Sequence, residues 1–97
     1  MFDIGEIVTV MTVTGEYVGK LLSDDENGVS LENPRFISMS EQGMGFAGGI
    51  AMTGVKDPKR VTLKNVVFIA DTNPEVVSAY KTSVSGIIQP TKGQIVT

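Results

Sequence analysis

Residues 6–33 read EIVTVMTVTGEYVGKLLSDDENGVSLEN. Three β-branched, apolar runs stand here between two short polar turns, which predicts three consecutive antiparallel strands. The first run covers Glu6 to Val13, with Thr9 and Thr12 interleaved among apolar residues. Thr14-Gly15 turns the chain. The second run, residues 16–23, is interrupted by Gly19, and a glycine inside a strand marks a sharp bend, a bulge or a close backbone approach. Asp24, Asp25, Glu26, Asn27 and Gly28 form the next turn. The third run sets Val29 and Leu31 on one face and Ser30 and Glu32 on the other.

Beyond this block, Asn33-Pro34 either ends the third strand or lets a bulged strand continue into RFISMS, residues 35–40. Residues 38–59, rich in glycine and methionine, predict a mobile loop or an extended hairpin. Their apolar content (Met44, Phe46, Ile50, Met52) predicts that part of the stretch packs on the barrel or on a partner subunit. Residues 56–59, KDPK, are a turn. RVTLKNVVFIA, residues 60–70, reads as two short strands bent at Lys64-Asn65, or as one bent strand. A helix over about residues 73–84 follows, with Asn73 or Thr72 as N-cap, Pro74 at the first helical position and Glu75 complementing the dipole. Val76, Val77, Tyr80 and Val84 are its apolar stripe, and Gly86 stops it. The tail, residues 86–97, is expected to be loose or to pair with a neighbour.

The sum is a mainly β chain: a single domain over residues 1–97, built as a small, five-stranded, strongly bent barrel over about residues 6–70 with a C-terminal helix. Its 97 residues suffice for one small domain, which often gains stability by associating. No apolar run approaches the roughly 18 residues of a membrane helix. The acid in MFDIGEIV stands where an export signal carries a base, so the expected setting is cytoplasmic. The chain has no cysteine and no histidine, which removes disulfides, zinc knuckles and the commonest parts of catalytic triads and transition-metal sites. No cofactor and no enzymatic activity are expected.

The net charge is −3. That opposes non-specific attraction to nucleic acid, which needs lysine and arginine against phosphate. The charges are uneven, however. Lys56, Lys59, Arg60 and Lys64 are close in sequence, whereas Asp3, Glu6, Glu16, Asp24, Asp25, Glu26 and Glu32 lie early. GMGFAGG, residues 43–49, lacks the ending and the following helix of a phosphate loop.

Several of these residues together resemble the Sm/LSm (Sm-like, Hfq-like) family, in the form met among marine phage and bacterial environmental sequences. Val8 and Val10, Gly15, Gly19 and Leu21, Asp24 or Asp25, Asn27, then Val29 and Leu31 match its first motif. Val61 to Ile69 has the shape of its second motif, with Lys64-Asn65 where relatives carry Arg-Gly or Lys-His. The likeness covers residues 6–37 and 60–70. Four departures stand out: a shorter Gly15–Gly19 interval, a short second turn without the aromatic or methionine that stacks on RNA bases, Lys64-Asn65 in place of Arg-Gly, and a helix after the barrel rather than before it. The resemblance implies a homo-oligomeric ring, a hexamer or heptamer, that takes single-stranded RNA at its pore without any membrane partner. By that resemblance Asp25, Asn27, Lys64 and Asn65 are the RNA-binding residues.

Each has a plainer reading. Asn-Gly is the strongest short hairpin signal because both residues accept positive φ, and flanking acids then supply solubility. Three acids in a row lack the spacing of a calcium loop. Lys64-Asn65 can be only a polar bend. Tyr17 can stack a base if exposed, or fill the core. The alternative to RNA binding is a structural or assembly ring, possible for a viral protein, that keeps the barrel without the RNA site.

Overall fold

A computed structural model describes residues 2–47 and 51–85. The chain is mainly β: strands β1 (Ile7–Thr12), β2 (Gly15–Asp25), β3 (Gly28–Ser40), β4 (Gly43–Ala47), β5 (Arg60–Leu63) and β6 (Val66–Asp71) precede one helix, α1 (Pro74–Ser85). All pairings are antiparallel, in the order β4-β3-β2-β1-β6, with β5 also on β3. The sheet thus has six strands rather than five. The extra strand is β4, which forms because the glycine-rich stretch folds back on the end of β3 as an extended hairpin, Met39 facing Met44 and Ile37 facing Phe46. Ile50, Gly86 and the tail lie outside the described residues.

The expected barrel is corrected in a second respect, because the pairing does not close. β2 occupies one edge of β3 from Gly28 to Phe36, so β4 and β5 share the other edge, against Phe36–Ser40 and Val29–Glu32 respectively. β6 pairs with β1 at the opposite end of the sheet. The sheet is nonetheless strongly curled. In a flat sheet the path β5-β3-β2-β1-β6 spans about 19 Å at ~4.8 Å per step. Leu63 ends β5 and Val66 starts β6, and the short chain between them reaches at most about 11 Å. Its two edges therefore approach each other without pairing, and Leu63 from β5 joins Val8, Val10, Tyr17, Leu21, Val29 and Leu31 in one core, with Val66 and Ile69 of β6 packed against it.

Local chemistry explains the bends. β1 alternates strictly, with Val8, Val10 and Thr12 buried. The Thr12 hydroxyl closes the first turn: it donates to the Gly15 carbonyl (3.0 Å) and accepts from the N–H groups of Thr14 and Gly15 (3.2 Å each). β3 runs straight through Asn33-Pro34 with one extra residue there: Val18 faces Arg35, but Lys20 faces Glu32. Asn33 takes φ 50° at this bulge and donates its N–H to the Lys59 carbonyl at 2.8 Å. Gly19 sits opposite in β2, where a Cβ would lie 2.9 Å from the Leu31 Cβ. The glycine is therefore a close approach that lets the two strands bend together.

Helix α1 starts as its sequence predicts. Asn73 accepts the Glu75 N–H at 2.9 Å, and Val76, Val77, Tyr80 and Val84 turn toward the sheet. Tyr80 latches the helix to the β3 bulge. Its hydroxyl lies within donating distance of the main-chain oxygens of Asn33 (2.8 Å) and Glu32 (3.2 Å), and Phe46 meets its ring edge-on. Burial pushes the Tyr80 hydroxyl above its ordinary 10.0, Arg35 pulling it down, Glu32 up and a main-chain hydrogen bond at Lys20 down. The folded state therefore holds this proton more tightly than the unfolded state. Its contribution is complete below about pH 10 and is lost as pH rises through the raised value. Urea unfolding across pH 8–12 should show this alkaline loss. Tyr80→Phe should remove that component and cost about 1–2 kcal/mol at neutral pH, since the two carbonyls lose their donor.

Candidate functional site

Asp25 and Asn27 occupy the β2–β3 turn. The Asp25 carboxylate accepts the Asn27 N–H at 2.8 Å, an Asx turn that fixes the loop. Among the described residues, positive φ outside glycine occurs at Asn33 and Asn65, so Asn27 does not take the left-handed conformation expected of an Asn-Gly hairpin. Gly28 alone carries it, at φ 124°. The reason is contact: a Cβ on Gly28 would run into the Leu63 carbonyl oxygen at the end of β5. The turn is thereby pressed against the start of the second turn. A hydrogen bond of 2.9 Å between the Ser30 and Thr62 hydroxyls ties β3 to β5 just behind it.

Lys64 and Asn65 are that second turn. Asn65 takes φ 57°, which an asparagine tolerates well, and swings the chain from β5 to β6. An open cleft of about 530 Å³ lies between the turns, and Asp25, Asn27, Lys64 and Asn65 all line it. Residues separated by nearly forty positions thus share one surface, because the sheet curls.

The cleft is acidic on balance. Asp24 and Glu26 join Asp25 on its lip, against the single ammonium of Lys64. The other cations of the basic stretch are elsewhere. Arg60 sits across from Glu32 at the far end of β5, and Lys59 lines a different depression with Arg35. Free carboxylates exposed to water repel phosphate, while the amides of Asn27 and Asn65 remain able to donate and accept. Among the described residues no cluster of three or more carboxylate side chains is arranged to hold a metal ion.

The aromatics are redistributed relative to the sequence reading. Tyr17 is buried and meets Phe36 edge-to-face at 5.3 Å, so it belongs to the core. Phe68, which sequence reasoning passed over as part of an apolar strand, is half exposed and lines the cleft. Ile69 faces buried Val10 and packs on the core, so alternation turns Phe68, opposite Met11, to the other face; before it Val66 faces Thr12, leaving Val67 as an extra residue that breaks the alternation. An uninterrupted run of apolar residues carries no period from which that facing can be read.

No protein-family model matches this chain, and neither a curated protein nor a solved structure does.

Proposed function

We propose that this is an Sm-like protein that assembles through its sheet edges into a ring and takes single-stranded RNA in the cleft between its two turns. The observation that carries the reading is the meeting of Asp25, Asn27, Lys64 and Asn65 on one surface. Those residues come from the two motifs that resemble the family, and the strand order joins the second motif to the first as a curled, open barrel would. In this reading Asp25 holds the loop, the Asn27 and Asn65 amides address base edges, and Lys64 meets phosphate.

Assembly has its own support. Among the described residues β6 has one partner strand, β1, and leaves its other edge free, with exposed Val67 on that strand. Among the described residues the β4 and β5 edge is free at the other end of the sheet. Two unlike free edges suit a head-to-tail contact, which satisfies them only when it closes into a ring. Mass in solution reads this directly: a defined oligomer is expected, and a strict monomer at micromolar concentration counts against it.

RNA binding is tested by titrating U-rich and A-rich oligonucleotides at two salt concentrations. Asn27→Ala should weaken binding by the ~1–3 kcal/mol of a base contact. Lys64→Ala should weaken it and lower the salt slope by about 0.7, one phosphate on a single strand. One observation favours a second reading, a non-enzymatic assembly ring without RNA: three carboxylates face one lysine in the cleft. An intact oligomer that binds no RNA even at low salt would establish that alternative.

A further inference from the structure

From the placement of Phe68 we infer that the cleft recognises its ligand chiefly by stacking one unpaired nucleobase on that ring, and only secondarily through the phosphate backbone. This rests on the RNA-binding reading of the cleft and names how it is achieved.

The first observation is a census of aromatic rings. The chain has four phenylalanines, two tyrosines and no tryptophan. Tyr17 and Phe36 pack on each other in and against the core, Phe46 meets buried Tyr80, and Phe2 packs against the core cluster. Among the described residues Phe68 is the one ring with no such engagement and the one aromatic among the strongly exposed apolar residues, at 50 %. A single exposed apolar residue needs no explanation by itself. This one lies in the cleft that holds Asn27, Lys64 and Asn65.

The second observation is the alternation along β6: Ile69 faces buried Val10 and packs on the core, which turns the neighbouring Phe68 to the opposite face. Here Val66 and Ile69 stay against the core while Phe68 is exposed. The third is charge. A cleft with three carboxylates and one ammonium gains little from phosphate. Any single-stranded nucleic acid held there must draw its affinity from its bases. An aromatic face with amides beside it is the chemistry that does so, because every base has a π-face and an edge that hydrogen-bonds.

The test uses the full-length protein and single-stranded RNA oligonucleotides, with oligomer mass read in the same samples. Phe68→Leu keeps the apolar bulk and removes the stacking face. It should weaken binding by about 5- to 150-fold, the range of one aromatic–base stack. The salt slope should stay unchanged, in contrast to Lys64→Ala. Phe68→Trp places the only indole of the chain in the cleft. Its emission should be quenched by the oligonucleotide and not by an abasic oligonucleotide of equal length, which decides the matter even if Phe68→Leu disturbs assembly. Wild-type binding together with unchanged affinity in Phe68→Leu, or equal quenching by the abasic strand, would overturn the inference and leave the RNA reading standing. Absence of wild-type binding would overturn both.

Discussion

Gly28→Val lowers stability by several kcal/mol and takes the cleft apart with it. Two costs add. Residue 28 has φ 124°, where a β-branched side chain is strained by about 1–3 kcal/mol. Its Cβ also collides with the Leu63 carbonyl oxygen, a main-chain atom that cannot swing aside, and overpacking of this kind costs about 1–3 kcal/mol more. Relief requires the β2–β3 turn to lift from β5, which separates Asn27 from Lys64. Urea unfolding reads the first effect and oligonucleotide titration of the remaining folded protein reads the second. Gly28→Ala shares the collision and should fall in the same direction. Gly43 is the control: it has φ 111° but open space around it, so Gly43→Ala carries strain without a clash.

Leu31→Ala should cost about 2–5 kcal/mol, a large share of the ~5–15 kcal/mol that holds a small domain. Leu31 is fully buried, faces Leu21 on one side and Val61 on the other, and covers Gly19 at the bend of β2. Truncation leaves a cavity beneath the tightest point of the sheet. Collapse into it is resisted by the bulge at Asn33 on one side and by β5 on the other. Leu31→Met, which conserves volume, should cost less than ~1.5 kcal/mol. Unfolding midpoints of the two variants separate lost volume from altered shape.

The parts of the fold that were legible in the sequence are those with a local cause. β1 alternates, Thr14-Gly15 turns, Asn73 caps α1, and Gly19 marks the bend; each follows from residues within a few positions. β4 was open between loop and hairpin, because its glycines lower strand propensity and only pairing with β3 decides the matter. The passage of β3 through Asn33-Pro34 depends on Lys59 and Tyr80, more than twenty and forty residues away. Nor could closure be read: it turns on whether two edges pair after the sheet has curled.

Both turns of the candidate site were visible as polar interruptions. Their meeting was not, since it arises from the curl and from Gly28 lying against Leu63. Phe68 was hidden for a related reason. In VVFIA every position is apolar, so the pattern shows neither which side chains face the core nor the extra residue at Val67. The one cue was its position, a few residues after the polar bend at Lys64-Asn65.

Titration of the assembled protein with U-rich single-stranded RNA, at low salt and again at severalfold higher salt, bears most directly on the central claim. The account predicts saturable binding that weakens only modestly with salt, because one lysine and a stacked base hold the ligand. No binding at low salt, with the oligomer intact, would contradict it.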